Sequence, residues 1–334
     1  MAQHSYKSLM GRLANAGFKG GFARVAVLPE WWEPSCESDE RLLSDIEIRV
    51  ARFLGAPLSV VRDPSAPLVV PNYPGAQLRR VRDINRDRLW PAIHAALNIA
   101  AAVVRSSSLP ELRLPPADAI AWRETIARQQ SVLKLDDLVA DSWDRGIPVL
   151  HVDALPAPSF QGIACIIEGR PVVLVCHDLD EPGRLAFIIG HEFGHIVNGD
   201  CTPGKPVVDE EEEVSDDAEI ERRADAFSVG LLTGGVQIPN VDASDFKDLA
   251  RQALANEKKT SVDASAVISS WARRSNNYSM ATMAAKALYR NRGGKRVVRK
   301  YLDRYLNLDG ASDSDRALIQ CLSGAPEHDA AAAG

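Results

Sequence analysis

Apolar positions recur at helical spacing along most of this chain, with one short stretch that reads as strands instead. From Asp39 to Leu54, the residues Leu42, Leu43, Ile46, Val50, Phe53 and Leu54 share one helix face, and Gly55-Ala56-Pro57 breaks the run before Leu58–Val61. Further helices are predicted over Trp90–Arg105, Ala117–Trp143, Ser261–Trp271 and Ser279–Arg290. Gly162–Ile167 and Pro171–Val175 are short apolar runs flanking the turn Glu168-Gly169-Arg170, and they predict a β-hairpin. The chain then turns helical again: Asp180 stands as an N-cap, Pro182 falls in the first turn, and Leu185, Ile188, Ile189 and Ile196 form a stripe that ends at Asn198-Gly199. Ile220, Ala224, Phe227 and Leu231 mark the next helix, with Asp216 and Glu219 as a capping box. A small sheet set among helices predicts an α+β fold.

The chemistry concentrates on the helix after the hairpin, which contains His191-Glu192-Phe193-Gly194-His195. Histidines at i and i+4 lie one above the other, so both imidazoles reach one metal ion. Glu192 follows His191 by about 100° around the helix, which directs its carboxylate toward a metal-activated water rather than the metal. A catalytic zinc needs a third protein ligand. Glu221 and Asp225 share a face of the following helix, 26 positions on from His195 at their start. Glu221 is assigned as that ligand, and Asp225 as the acceptor for a ligand imidazole N–H; Glu219 is the alternative ligand. Cys176 and His177 lie close in sequence but are surplus to a three-ligand site. Tyr278 and His177 are the candidates for stabilising an oxyanion.

The run Gly183–Gly190 into the H-E-x-x-H motif, followed by Glu221-x-x-Ala224-Asp225-Ala226-Phe227 and Leu231-Leu232, resembles the ImmA/IrrE metallopeptidases. The resemblance covers residues 130–235, with Asp144–Val149 at the start of the first strand. It departs at Leu231-Leu232-Thr233-Gly234-Gly235, where the family carries a Leu-Leu-Met-Pro-like ending. It implies a zincin-like domain holding Zn2+ through His191, His195 and Glu221, with Glu192 as general base and acid. It also implies a protein substrate, specifically a helix-turn-helix repressor cleaved to switch on stress, mobile-element or phage-defence genes. The expected division is a helical domain at 1–110, a peptidase domain at 111–240, a helical domain at 241–322 and a disordered tail at 323–334. The strand Gly162, Ile163, Ala164 and Cys165 is the expected edge for a substrate to join as an extra strand.

Composition adds limits. The chain of 334 residues carries a net charge of −6 and five singly spaced cysteines, which points to reduced thiols in a cytoplasm. No apolar run is long enough for a membrane span. Asp209–Glu213 is a dense acidic run between the metal helices and predicts an extended loop. Lys286–Arg304 holds eight basic residues, among them Arg296, Arg299 and Lys300, with Tyr289, Tyr301 and Tyr305 interleaved. That segment is compatible with a nucleic acid as activator, and equally with a basic helix packed on acidic groups. Arg79–Arg88 reads as a solvated helix face. The Asp39–Val61 pattern has helix-turn-helix grammar, although its second helix has few side chains suited to reading bases. An alternative function is therefore a DNA- or protein-binding regulator, or a toxin–antitoxin component, with a structural or vestigial zinc site. Against that, a structural site has no use for Glu192. A zinc hydrolase of small amides is a third reading.

Overall fold

The computed structural model describes residues 5–73, 75–79, 86–126, 132–153, 155–158, 160–176, 180–209, 218–288 and 293–323. Among them the fold is mixed α+β, with fourteen α-helices and one five-stranded sheet. The strands are β1 (Gln77–Arg79), β2 (Val149–Val152), β3 (Gly162–Ile167), β4 (Arg170–Cys176) and β5 (Val207–Asp209), in the order β1-β5-β3-β4-β2. The hairpin is tighter than expected. Glu168 and Gly169 alone form the loop, both at positive φ (50° and 79°), and Arg170 already pairs with Ile167. Two central residues at positive φ match the twist of the flanking strands. β2 joins β4 in parallel, and β1 joins β5 in parallel.

β3 is not an edge where a substrate was expected to join. Gly162, Ile163 and Ala164 pair antiparallel with Asp209, Val208 and Val207 of β5 on one side and with β4 on the other. Cys165 lies beyond β5, but its main chain is turned to β4, opposite Val172, and its side chain is buried. The outer strands are β1 and β2.

The metal-motif helix, α8 (Pro182–Val197), lies on β3 and β4, and α9 (Ala218–Thr233) packs along it. α8 is apolar nearly all round and is buried over most of its length, as such a helix must be. α9 is amphipathic, burying Glu221, Ala224, Phe227, Ser228 and Leu231 at i, i+3, i+6, i+7 and i+10. α5 (Arg86–Arg105) packs on the same two strands. The expected boundaries at 110 and 240 do not separate cores. One hydrophobic cluster runs from Tyr6 to Leu322, β1 belongs to the sheet, and α14 (Asp313–Gln320) packs on α5 and on α2 (Gly20–Val27).

Several helix limits differ from those the periodicity predicts. The span 117–143 holds two helices, α6 (Ala119–Ile126) and α7 (Leu135–Asp144), because Asp137 accepts the Lys134 backbone N–H at 3.0 Å and starts α7 afresh. Ser261 is not a helix start: it takes φ +58° as the C-cap of α10 (Phe246–Thr260), and Asp263 caps α11 (Ala264–Ser275) through Ser265 N at 2.8 Å. Helix α3 (Glu40–Leu54) forms as expected and ends at Gly55, φ +62°. The helix after it, α4 (Leu58–Arg62), has five residues, and Arg62 is paired with Glu47 at 2.8 Å. So short an element makes a poor recognition helix. Arg80–Asn85, the acidic residues 210–213, Asp216, His177, Tyr289 and the tail from Gly324 lie outside the described residues. No helix of the described residues is long and apolar enough to cross a membrane.

Asp180 caps a different helix from the one expected. Glu181 holds the N-cap position of α8, with no side-chain cap hydrogen bond. The Asp180 carboxylate instead accepts from Gly293 N at 2.9 Å and Lys295 N at 2.8 Å, at the start of α13 (Gly294–Tyr305). Asp180 thus ties the C-terminal region to the front of the metal helix. Asp180→Ala should cost roughly 1 kcal/mol in a denaturant titration, the usual value of a helix cap. An unchanged midpoint would show that the cap carries no stability.

Candidate metal centre

Three side chains from two helices converge. His191 and His195, one turn apart on α8, bring their Nε2 atoms to 3.0 Å. Glu221 closes the group from α9, with Oε2 at 3.4 Å from His191 Nε2 and Oε1 at 3.6 Å from His195 Nε2. Among the described residues these three form the group able to hold a metal, with one ligand atom from each lying within 4.8 Å of the others. All three are buried, His195 completely. The close approach of α8 and α9 depends on small residues: a β-carbon on Gly194 would lie 2.7 Å from Ala224 Cα.

The donor set fits a divalent cation. His191 Nδ1 lies 2.9 Å from Asp225 Oδ1, and His195 Nδ1 lies 3.0 Å from Asp200 Oδ2. A carboxylate accepts there, so a neutral ring that donates its Nδ1 proton to it keeps an Nε2 lone pair for a cation. The two Nε2 atoms, 3.0 Å apart beside a buried carboxylate, bring three donor groups to one point that a single cation can share. A set of two imidazoles and one carboxylate suits zinc and its neighbours. A buried His191–His195–Glu221 group that can hold a metal ion is what the fold provides.

Glu192 is fully buried. Its carboxylate lies under β3, so close to Gly162 that a β-carbon there would fall 2.0 Å from Oε1. The thiols of Cys165, Cys176 and Cys201 are pushed up in pKa, first by burial and further by the Glu192 carboxylate. They stay protonated, and Cys176 does not join the metal group. Glu219 is not the ligand either, since its side chain is largely exposed and paired with Arg222. Tyr278 is exposed at the start of α12 (Tyr278–Leu288).

Asp200, which meets His195 Nδ1, is the residue of this site that periodicity did not reveal. Its signal was present in His195-Ile196-Val197-Asn198-Gly199-Asp200, where a C-capping glycine returns the chain over the last helical turn.

Three of the eight basic residues of the segment are paired with acids within the molecule. Lys295 and Arg299 of α13 pair with Asp153 beyond β2, Lys295 at 3.1 Å. Arg299 also donates to Leu322 O at 3.0 Å, and Lys300 pairs with Asp136 of α7. Burial alone would raise the Asp153 carboxyl, but these two cations hold it below its ordinary value. Two of the three candidate nucleic-acid contacts are thereby committed to acidic partners, and Arg296, the third, is exposed and among the described residues pairs with no acid. Family models and characterised proteins offer no match to the chain.

Proposed function

We propose that this chain is a zinc-dependent endopeptidase of zincin-like type, acting on a protein partner. The observation that carries the reading is Glu192, a wholly buried carboxylate immediately after one metal-site histidine and one turn before the other. When bound, zinc supplies a Lewis acid that polarises a carbonyl and acidifies water. His191, His195 and Glu221 would hold it, and Asp225 and Asp200 would keep the two rings turned inward. Glu192 accepts the proton of the attacking water and returns it to the leaving amine. Its burial under β3 keeps bulk solvent from that carboxylate, which strengthens its electrostatic effect.

The resemblance to the ImmA/IrrE metallopeptidases supports a helix-turn-helix repressor as the substrate. Five free cysteines support a reducing, cytoplasmic setting. A substrate strand cannot add at Gly162–Ala164 while β5 occupies that side. The test is incubation with a helix-turn-helix protein encoded beside this one, followed by mass spectrometry of fragments. Cleavage should stop with 1,10-phenanthroline and return with added zinc. Equal cleavage in chelator, or none by fully zinc-loaded protein against that partner and a random peptide pool, overturns the reading.

A further inference from the structure

Asp200 is fixed by three parts of the fold, one of them remote from the motif. The first is the end of α8. Asp200 N–H donates to His195 O at 2.9 Å and Gly199 N–H to Ile196 O at 3.2 Å, with Gly199 at φ +74°. This paired pattern brings the residue two past the cap back against the residue three before it. The aspartate therefore lands beside the metal-site histidine itself. The second is α9. Arg223, two residues after Glu221, places a guanidinium nitrogen 3.2 Å from Asp200 Oδ1, leaving Oδ2 for His195 Nδ1. The third is the N-terminal segment. Gln77 of β1 donates from Nε2 to Asp200 O at 2.8 Å, while its backbone N–H donates to Pro206 O at 2.8 Å.

We infer that Asp200 is a positioning residue for the metal ligand His195, and that the N-terminal strand β1 holds it in place through Gln77. The metal affinity of the centre then depends on β1 staying docked on β5. Asp225, the partner of His191, sits on α9 one turn from Glu221 and is more exposed, at 28% against 6% for Asp200. A partner that drew β1 away from β5 would weaken the site without touching a ligand, which gives the N-terminal segment a means of regulating the centre. The inference rests on the His191–His195–Glu221 group holding a metal, and not on the reaction carried out there.

The experiment is zinc affinity of the full chain, measured by competition with a chromophoric chelator, alongside melting of each metal-free form. Asp200→Ala should weaken zinc roughly tenfold to a hundredfold, the range for loss of a partner to a ligand imidazole. Asp200→Asn, which keeps an acceptor for Nδ1–H, should recover most of that loss. Gln77→Met should weaken zinc by about twofold to tenfold, the weight of one hydrogen bond. A merely structural role would lower the metal-free melting temperature and leave the affinity of the folded protein unchanged. Wild-type affinity in Asp200→Ala overturns the positioning role, and wild-type affinity in Gln77→Met overturns the coupling to β1. Absence of zinc binding by the unmodified chain would instead reject the metal centre itself.

Discussion

Glu192→Gln should keep the zinc of the unmodified protein, about one ion per chain, and lose hydrolysis by roughly 10²- to 10⁴-fold. The amide has nearly the shape of the carboxylate and fits the same space under Gly162, but it cannot take up a proton from water. His195→Ala and Glu221→Ala should behave differently, losing metal and hydrolysis together. Each removes one of three donors, and neither Glu219, paired with Arg222, nor the buried thiols stand ready to replace it. Glu219→Ala should be silent in both measurements. Metal analysis alongside a cleavage assay separates these outcomes. Full zinc occupancy in Glu221→Ala would reject the ligand set, while normal hydrolysis by Glu192→Gln would reject the role of the base.

What could be read from sequence was whatever depends on one helix or on the phase of two. His191 and His195 meet because helical geometry alone stacks i and i+4, and Glu221 and Asp225 face them because α9 buries every third or fourth residue. The hairpin was legible because its two apolar runs flank a short turn rich in special backbone geometry. The free edge at Gly162 was misread for a non-local reason. β5 contributes only Val207, Val208 and Asp209, too short a run for periodicity to register, and it pairs with β3 from more than forty residues away. Asp180 was assigned to the helix it adjoins, although its carboxylate caps α13, more than a hundred residues downstream. The basic face of Arg299 and Lys300 likewise finds Asp153 and Asp136 only once the chain has folded. Charge patterns predict what a segment seeks, and tertiary structure decides where that partner lies.

Gly162→Ala should abolish most hydrolysis without removing the metal. The β-carbon would stand 2.0 Å from Glu192 Oε1 and 2.8 Å from Cδ, distances that no side-chain pair tolerates. Either β3 or the carboxylate must move. β3 is held at this residue by Val175 on one side and Asp209 on the other, so the Glu192 side chain is the softer element. The ligands are spared because His191 and His195 of α8 turn to Glu221 of α9. Overpacking of this kind costs about 1–3 kcal/mol, so thermal melting should show a modest fall, and hydrolysis is to be compared per folded, zinc-loaded chain. A second variant separates displacement from general damage. Glu192→Asp shortens the acid by one methylene and withdraws it from the space that the new methyl occupies. The Gly162→Ala/Glu192→Asp pair should therefore be more active than the product of the two single losses, as contacting residues are non-additive. If the two losses simply multiply, or if Gly162→Ala cleaves at the unmodified rate, β3 does not position the carboxylate and the close approach at Gly162 serves packing alone.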